Sequence, residues 1–289
     1  MKTKLRFKVT VLFFVVPFLL VYFIFQIFPL FQAIMASLFK WDLLTSSMDF
    51  IGVKNYINMF KDPMFWSSLL NTIKFVVFST PLLIGVGLLL ALLLNGTGSK
   101  KRIFRTAFFA PYVFSVAITT LIWGFMFNPQ KGLLGEFARV LGFEPINWLT
   151  DPTFAMPAII IATLWWTVGF NMVLFLAGLQ DIDPSLYEAS SLDGASWFQD
   201  FFYITLPSLK RTLELVTILQ VIMSFQIFGQ VYILTKGGPG GTTRVLIQYI
   251  YETGFRDHQL GYASAMAFIL FVVMAIVSFF QFKLSKEEN

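Results

Sequence analysis

Two groups of residues in this 289-residue chain have types and spacings that could do chemistry. The first is polar and aromatic and lies inside apolar sequence: Trp165, Trp166, Thr167, Phe170 and Asn171, then Gln220, Ser224, Gln226 and Gln230. Aromatic faces stack on the C–H faces of sugar rings, while amides and hydroxyls both donate and accept hydrogen bonds. Such a set would suit a neutral polar solute. The same residues could instead tie helices together or pack against lipid. The second group is acidic: Asp181, Asp183, Glu188, Asp193 and Asp200 fall within about 30 residues whose only basic members are Lys210 and Arg211.

Several other chemistries are closed off. There is no cysteine, so disulfides, thiol catalysis and thiolate metal sites are out. The single histidine, His258, sits beside Asp257 and cannot assemble a metal site alone. No G-x-x-x-x-G-K-[ST] segment exists: Gly96–Lys100 has the wrong spacing, and the glycines of Gly237–Gly241 lack the following lysine. Both read as turns. ATP hydrolysis, if coupled to this chain, must come from elsewhere. No Asp, Glu or Arg lies deep in an apolar run, which argues against an ion or phosphate path and against a secondary transporter. An intramembrane enzyme would need a nucleophile–base pair or metal ligands at depth, and none is visible.

The elements that must position these residues are membrane spans. Hydrophobic residues make up 57%, charged ones 13%, and mean hydropathy is +0.74. Soluble domains carry about 25% charged residues. Six runs reach spanning length, about Val9–Leu38, Leu69–Leu94, Thr106–Phe127, Phe154–Gly178, Thr212–Leu234 and Gly261–Phe282. Pro17 and Pro29 should bend the first, which follows a basic segment, Met1–Lys8, and reads as an uncleaved helix rather than a signal peptide. The expected class is an all-α polytopic membrane protein. Residues 1–68 form an N-terminal helix and outer loop, 69–283 a five-helix core, and 284–289 a tail. With the N-terminus inside, twelve of the 21 Lys and Arg residues fall on the cytoplasmic side and eight outside, with Lys74 near a span end. The cluster Lys100–Arg105 decides the orientation, placing both termini in the cytoplasm. The net charge of +5 therefore reports topology and not nucleic-acid binding.

The acidic segment, about 179–210, is then a cytoplasmic loop. Asp183 can cap a helix whose first position is Pro184, and Asp193-Gly194 can end it. A second short helix is expected over Ser196–Thr205, stopping at Pro207. Trp197, Phe198, Phe201 and Phe202 give it an apolar face. An amphipathic helix lying on an anionic leaflet would be rich in Lys and Arg. A docking knob for a soluble protein with a groove and a basic residue is the other reading.

Glu188-Ala189-Ser190-Ser191-Leu192-Asp193-Gly194-Ala195, with Ile204-Thr205-Leu206-Pro207 downstream, resembles the E-A-A-x-x-D-G-A…I-x-L-P loop of ABC-type import permeases, with Ser190 for the second alanine. Leu234-Thr235-Lys236-Gly237-Gly238-Pro239, then Thr243 and Tyr249-Ile250-Tyr251, is similar to the first permease subunit of maltose-type carbohydrate importers. The resemblance implies the type I importer permease fold in a bacterial-type plasma membrane. It implies a second homologous permease, a cytoplasmic ATPase dimer that holds ATP and Mg, and an extracytoplasmic sugar-binding protein. That protein would meet the loops at Lys40–Trp66, Asn128–Pro152 and Lys236–Leu260. No cofactor is implied on this chain. Glu188 would pair with a basic residue of the ATPase, Ala189, Gly194 and Ala195 would permit close approach, and Asp193 would hold the turn. The family's sugar contacts carry over to Trp166, Thr167, Phe170, Gln220, Met223, Ser224 and Ile227, of which Met223 and Ile227 are apolar. Glycerol phosphate or another small polar solute is the alternative cargo.

Overall fold

The computed structural model describes residues 13–45 and 47–287, with side chains to residue 283. The basic segment Met1–Lys8, the expected start of the first span at Val9 and the last two residues lie outside the described residues. Five described helices are long and apolar enough to cross a membrane. They are α1 (Phe13–Ala36), α3 (Pro63–Leu94), α7 (Ala155–Gln180), the segment Lys210–Leu234, and Leu260–Lys283 within a longer helix, Leu260–Glu287. A bent pair of helices passes the same test only when taken together, and counted as one span it makes six.

That pair corrects the sequence reading of Thr106–Phe127 as one continuous span. It consists of α4 (Ser99–Phe109), a 3₁₀ turn over Ala110–Val113, and α5 (Val116–Met126), with a 103° bend between the two halves. Phe114 is extended, and the Ser115 hydroxyl accepts the amide of Ile118 as an N-cap, so a new helix starts rather than the old one continuing. Pro111 and Ser115 carry the signal. In α1, a wide π turn over Phe23–Ile27 precedes Pro29 and accommodates its missing N–H.

The described residues form two compact units. The first, within 13–65 and 249–272, contains α1, a short antiparallel hairpin and α2 (Lys54–Lys61). The hairpin pairs β1 (Phe39–Trp41) with β2 (Met48–Phe50) in the register Phe39↔Phe50, Lys40↔Asp49 and Trp41↔Met48. Nothing in the sequence reading anticipated this hairpin. Asn55 Nδ2 fixes its base by donating to the carbonyls of Ser37 (2.8 Å) and Phe39 (2.9 Å). Asp62 caps the start of α3 through the amide of Met64 and accepts the hydroxyls of Tyr249 (2.6 Å) and Tyr262 (2.8 Å). Partial burial pushes its carboxyl upward, but the tyrosyl and amide donors outweigh that, and its pKa lies below the ordinary carboxylate value. Burial first, and then the Asp62 carboxylate, push the Tyr249 hydroxyl well up.

The second unit, within 66–248 and 273–287, is organised around α7. The share of its apolar window that is buried is 61%, against none for α1. One end of the unit is closed by Ala91 and Leu94 of α3, Met172, Phe175 and Leu179 of α7, and Val216 of α10 (Lys210–Phe225). At the other end Phe75, Ile159, Ile227, Val231 and Val245 pack together. Small residues along α7 allow backbones to approach closely. A Cβ at Gly169 would lie 2.3 Å from the Phe108 carbonyl oxygen, so α7 packs directly on the backbone of the broken span. Gly169→Ala is therefore expected to cost about 3 kcal/mol or to displace α4. Lower thermal stability of the purified chain in detergent, relative to wild type, checks this.

Two of the four basic residues in Lys100–Arg105 also have a local task. Arg105 donates to the carbonyls of Leu94 and Gly96 through Nη2 (2.6 and 2.7 Å), and Lys101 donates to that of Asn95. Together they satisfy the open end of α3.

Candidate functional site

The middle of α7 and the second half of α10 face each other across a cavity of about 450 Å³. It is lined by Phe75, Tyr112, Thr163, Trp166, Thr167, Gln220, Met223, Ser224, Gln226, Ile227 and Gln230. No lining side chain is charged, and Trp166 falls near the middle of α7. Trp166, Thr167, Gln220, Met223, Ser224 and Ile227 thus meet around one space, as do the two further glutamines.

A chain of hydrogen bonds sets the orientation of the polar wall. Asn171 Nδ2 donates to Gln220 Oε1 (2.9 Å), and Gln220 Nε2 donates to Ser224 Oγ (3.0 Å). Thr80 Oγ1 on α3 also donates to Ser224 Oγ (3.2 Å). Ser224 therefore accepts two bonds, which leaves its O–H as the donor available to a ligand. Trp166 is held by its own Nε1, which donates to the Phe114 carbonyl (3.1 Å) in the extended link of the broken span. Thr167 returns its hydroxyl to the Thr163 carbonyl (2.8 Å).

Two residues expected at the site stand behind it. Asn171 is buried and reaches the cavity only through Gln220. Phe170 stacks on Tyr112 with centroids 5.1 Å apart and planes at 17°, and it is Tyr112 that lines the space. The sequence reading omitted Phe75, Tyr112 and Thr163. The break at Pro111 could have flagged Tyr112, since a residue at a helix break is turned out of the regular packing; Phe75 carries no such signal.

A larger groove, about 700 Å³, lies between the N-terminal half of α3, the start of α7 and the 240–242 loop. Phe78, Leu82, Met156, Ile160 and Ile161 dominate its walls, and Lys74 is its one charged lining residue. Size favours it, but apolar side chains outweigh Ser67, Asn71 and Thr242 there, and the Asn71 amide is already spent on the carbonyls of Gly241 (2.9 Å) and Arg244 (3.0 Å). The smaller cavity is the better candidate.

The acidic loop forms a second feature. Helix α8 (Pro184–Leu192) starts at Asp183, whose carboxylate accepts the Ser185 amide (2.9 Å). That backbone bond, and then the Ser185 side chain, hold the Asp183 pKa below its ordinary value. The helix ends with the Ala195 amide on the Ser190 carbonyl (3.0 Å) and the Gly194 amide on Ser191 (3.2 Å), a Schellman turn, with Gly194 at φ +75°. Backbone bonds hold this turn; the Asp193 side chain is exposed and takes no hydrogen bond among the described residues. Glu188, Ala189 and Gly194 are also exposed, and Ala195 is half-buried.

The second short helix differs from the expectation. Ser196 and Gln199 form a capping box, and α9 (Trp197–Asp200) leads into a π turn, Phe201–Thr205, and then into Leu206–Ser208. Pro207 does not stop the chain; the wider turn ahead of it absorbs the missing donor, and the break comes at Leu209. Trp197 and Phe201 stack with planes at 9°, while Trp197, Phe198 and Phe202 remain exposed. Tyr187 ties the two short helices together through the Thr205 hydroxyl (2.9 Å).

The model of a family described as "Binding-protein-dependent transport system inner membrane component" matches residues 65–287. The chain is 36% identical over 286 residues to a probable ABC transporter permease protein, YurN, of Bacillus subtilis (strain 168), covering 95% of this chain and 98% of that one. It is 34% identical over 282 residues to the lactose transport system permease protein LacF of Rhizobium radiobacter, covering 96% and 94%. In fold it is similar to a chain in the crystal structure of a bacterial alginate ABC transporter in complex with an alginate pentasaccharide-bound periplasmic protein. The TM-score is 0.87, with 99% of this chain and 97% of that chain covered at 22% identity.

Proposed function

The chain belongs to the family of binding-protein-dependent transport system inner membrane components, and we propose that it is the permease subunit of an ATP-driven ABC importer for a sugar or oligosaccharide. As a multi-pass membrane subunit of that family it is not itself an enzyme. The observation that carries the cargo reading is the uncharged cavity near mid-membrane, where Trp166 and Tyr112 offer ring faces and Gln220, Ser224, Gln226 and Gln230 offer hydrogen bonds. A glycerol phosphate would need a cation there, and the lining has none.

In this reading both termini are cytoplasmic and the chain supplies half of the path, the other half coming from a second, homologous permease. Two cytoplasmic ATPase subunits bind ATP and Mg. Their grip is on the α8 knob, with Glu188 as the charged anchor, Ala189, Gly194 and Ala195 as the close-packing surface, and Asp193 beside them. An extracytoplasmic sugar-binding protein delivers the cargo. Closure of the ATPase dimer would move α7 and α10 as rigid levers on either side of the cavity.

The test is uptake into vesicles containing the assembled transporter. Accumulation of a neutral oligosaccharide is expected only with the binding protein outside and ATP inside. Uptake without ATP that follows a proton or sodium gradient would overturn the proposal.

A further inference from the structure

Helix α6 (Leu133–Val140) follows the broken span and carries an unpartnered apolar stripe. Leu133, Phe137, Val140 and Leu141 recur at i, i+4, i+7 and i+8 and are all exposed, Phe137 by 63% and Val140 by 83%. We propose that α6 is an interfacial anchor, lying along the bilayer surface with this stripe set into the lipid beside span three; this rests on the membrane reading above.

Three observations favour lipid as the occupant. The first is continuity. In sequence the stripe follows directly on α5, whose Ile118, Leu121 and Phe125 are also exposed, and α5 is one half of the bent pair that passes as a span when the two helices are taken together. The second is rigid attachment at the right height. A Cβ at Gly135 would lie 2.4 Å from the Pro129 carbonyl oxygen, and one at Gly132 2.3 Å from that of Phe125, so α6 is seated on the end of α5 with no room for a side chain between them. Its other face puts Leu134 against Phe127, beside Trp123 and Trp148. That packing fixes α6 at the level where α5 ends.

The third is charge. Arg139 turns aside to Glu136 (3.3 Å) and to the carbonyls of Pro129 (2.9 Å) and Gln130 (2.8 Å), so the two charged side chains of α6 pair with each other along one edge of the stripe, Glu136 lying one turn from Leu133 and from Val140. A soluble binding protein that comes and goes leaves its docking surface in water between visits. Such interfaces are about as polar as the rest of a protein surface. A face of Leu, Phe and Val left wet for part of each cycle would be costly. Lipid covers it at all times.

The absence of native cysteine makes the test direct. Phe137→Cys, Val140→Cys, Leu121→Cys and Lys131→Cys are each labelled with a nitroxide in the full transporter, in vesicles of phosphatidylethanolamine and phosphatidylglycerol. Electron paramagnetic resonance then reads access to oxygen and to a water-soluble nickel chelate. The expected result is that positions 137 and 140 behave like 121, open to oxygen and shielded from nickel, while 131 is open to nickel. Nickel access at 137 and 140 overturns the proposal, as does immobilisation there only when the binding protein is added. Nickel access at 121 would instead overturn the membrane placement of α5 itself, so the two failures are distinguishable.

Discussion

Reversing the charge at Glu188 (Glu188→Lys) is expected to reduce ATP-driven uptake at least about 100-fold and to release the ATPase subunits during purification. The chain itself should fold and insert as before. Glu188 is exposed and has no hydrogen bond or ion pair among the described residues, so its replacement should change the stability of the isolated chain by no more than about 0.5 kcal/mol. Any large effect must therefore be felt in another chain. Removing one partner of a buried interfacial charge pair costs about 2–5 kcal/mol, and reversal adds repulsion; every 1.4 kcal/mol is tenfold in affinity. Glu188→Gln keeps the size and one acceptor and should lose less. Gly194→Ala provides an independent reading. At φ +75° an added Cβ costs roughly 1 kcal/mol of backbone strain, yet it would meet nothing within 4 Å in this chain. A loss of assembly beyond that strain would report a neighbour pressed against the knob. Unchanged co-purification and uptake in both variants would remove the docking role.

The sequence made the knob more legible than the cavity, for a physical reason. Helix capping is local: Asp183, Pro184 and Gly194 act within one turn of where they stand, and their residue types announce the geometry they then adopt. The six spans were legible because a bilayer requires length and apolarity and little else. The bend in span three was missed because hydropathy averages over Pro111 and Ser115, and the hairpin at Phe39–Phe50 because each strand has only three residues. The cavity depends on which faces of separate spans meet. Trp166 and Gln220 stood out as polar or aromatic groups in apolar surroundings, but Phe75 looks like any other lipid-facing phenylalanine until α3 is packed. The placing of Asn171 behind Gln220, and of Phe170 behind Tyr112, is a matter of helix rotation, which spacing alone does not fix.

That rotation separates two roles that look alike in sequence, and Gln220→Leu tests them. Gln220 is buried, lines the cavity and links Asn171 to Ser224. Leucine fills a similar volume but leaves the Asn171 amide without its acceptor. Polar links between membrane helices average about 0.6 kcal/mol and reach about 1.7, so the fold should survive with a modest loss of stability. Transport should fall far more, about 100-fold, because a cavity built to bond a hydroxyl discriminates strongly once one of its polar groups is gone. Asn171→Leu removes the same link from behind, without touching the cavity wall. If the pair serves the solute, Asn171→Leu should leave several-fold more uptake than Gln220→Leu, and the double variant should be no worse than Gln220→Leu alone, the non-additivity of residues acting through one another. If the pair only ties α7 to α10, the two single variants should lose assembly and transport in equal proportion. Uptake by the two single variants, set against the amount of assembled transporter in each, decides whether Gln220 touches cargo or only holds a helix.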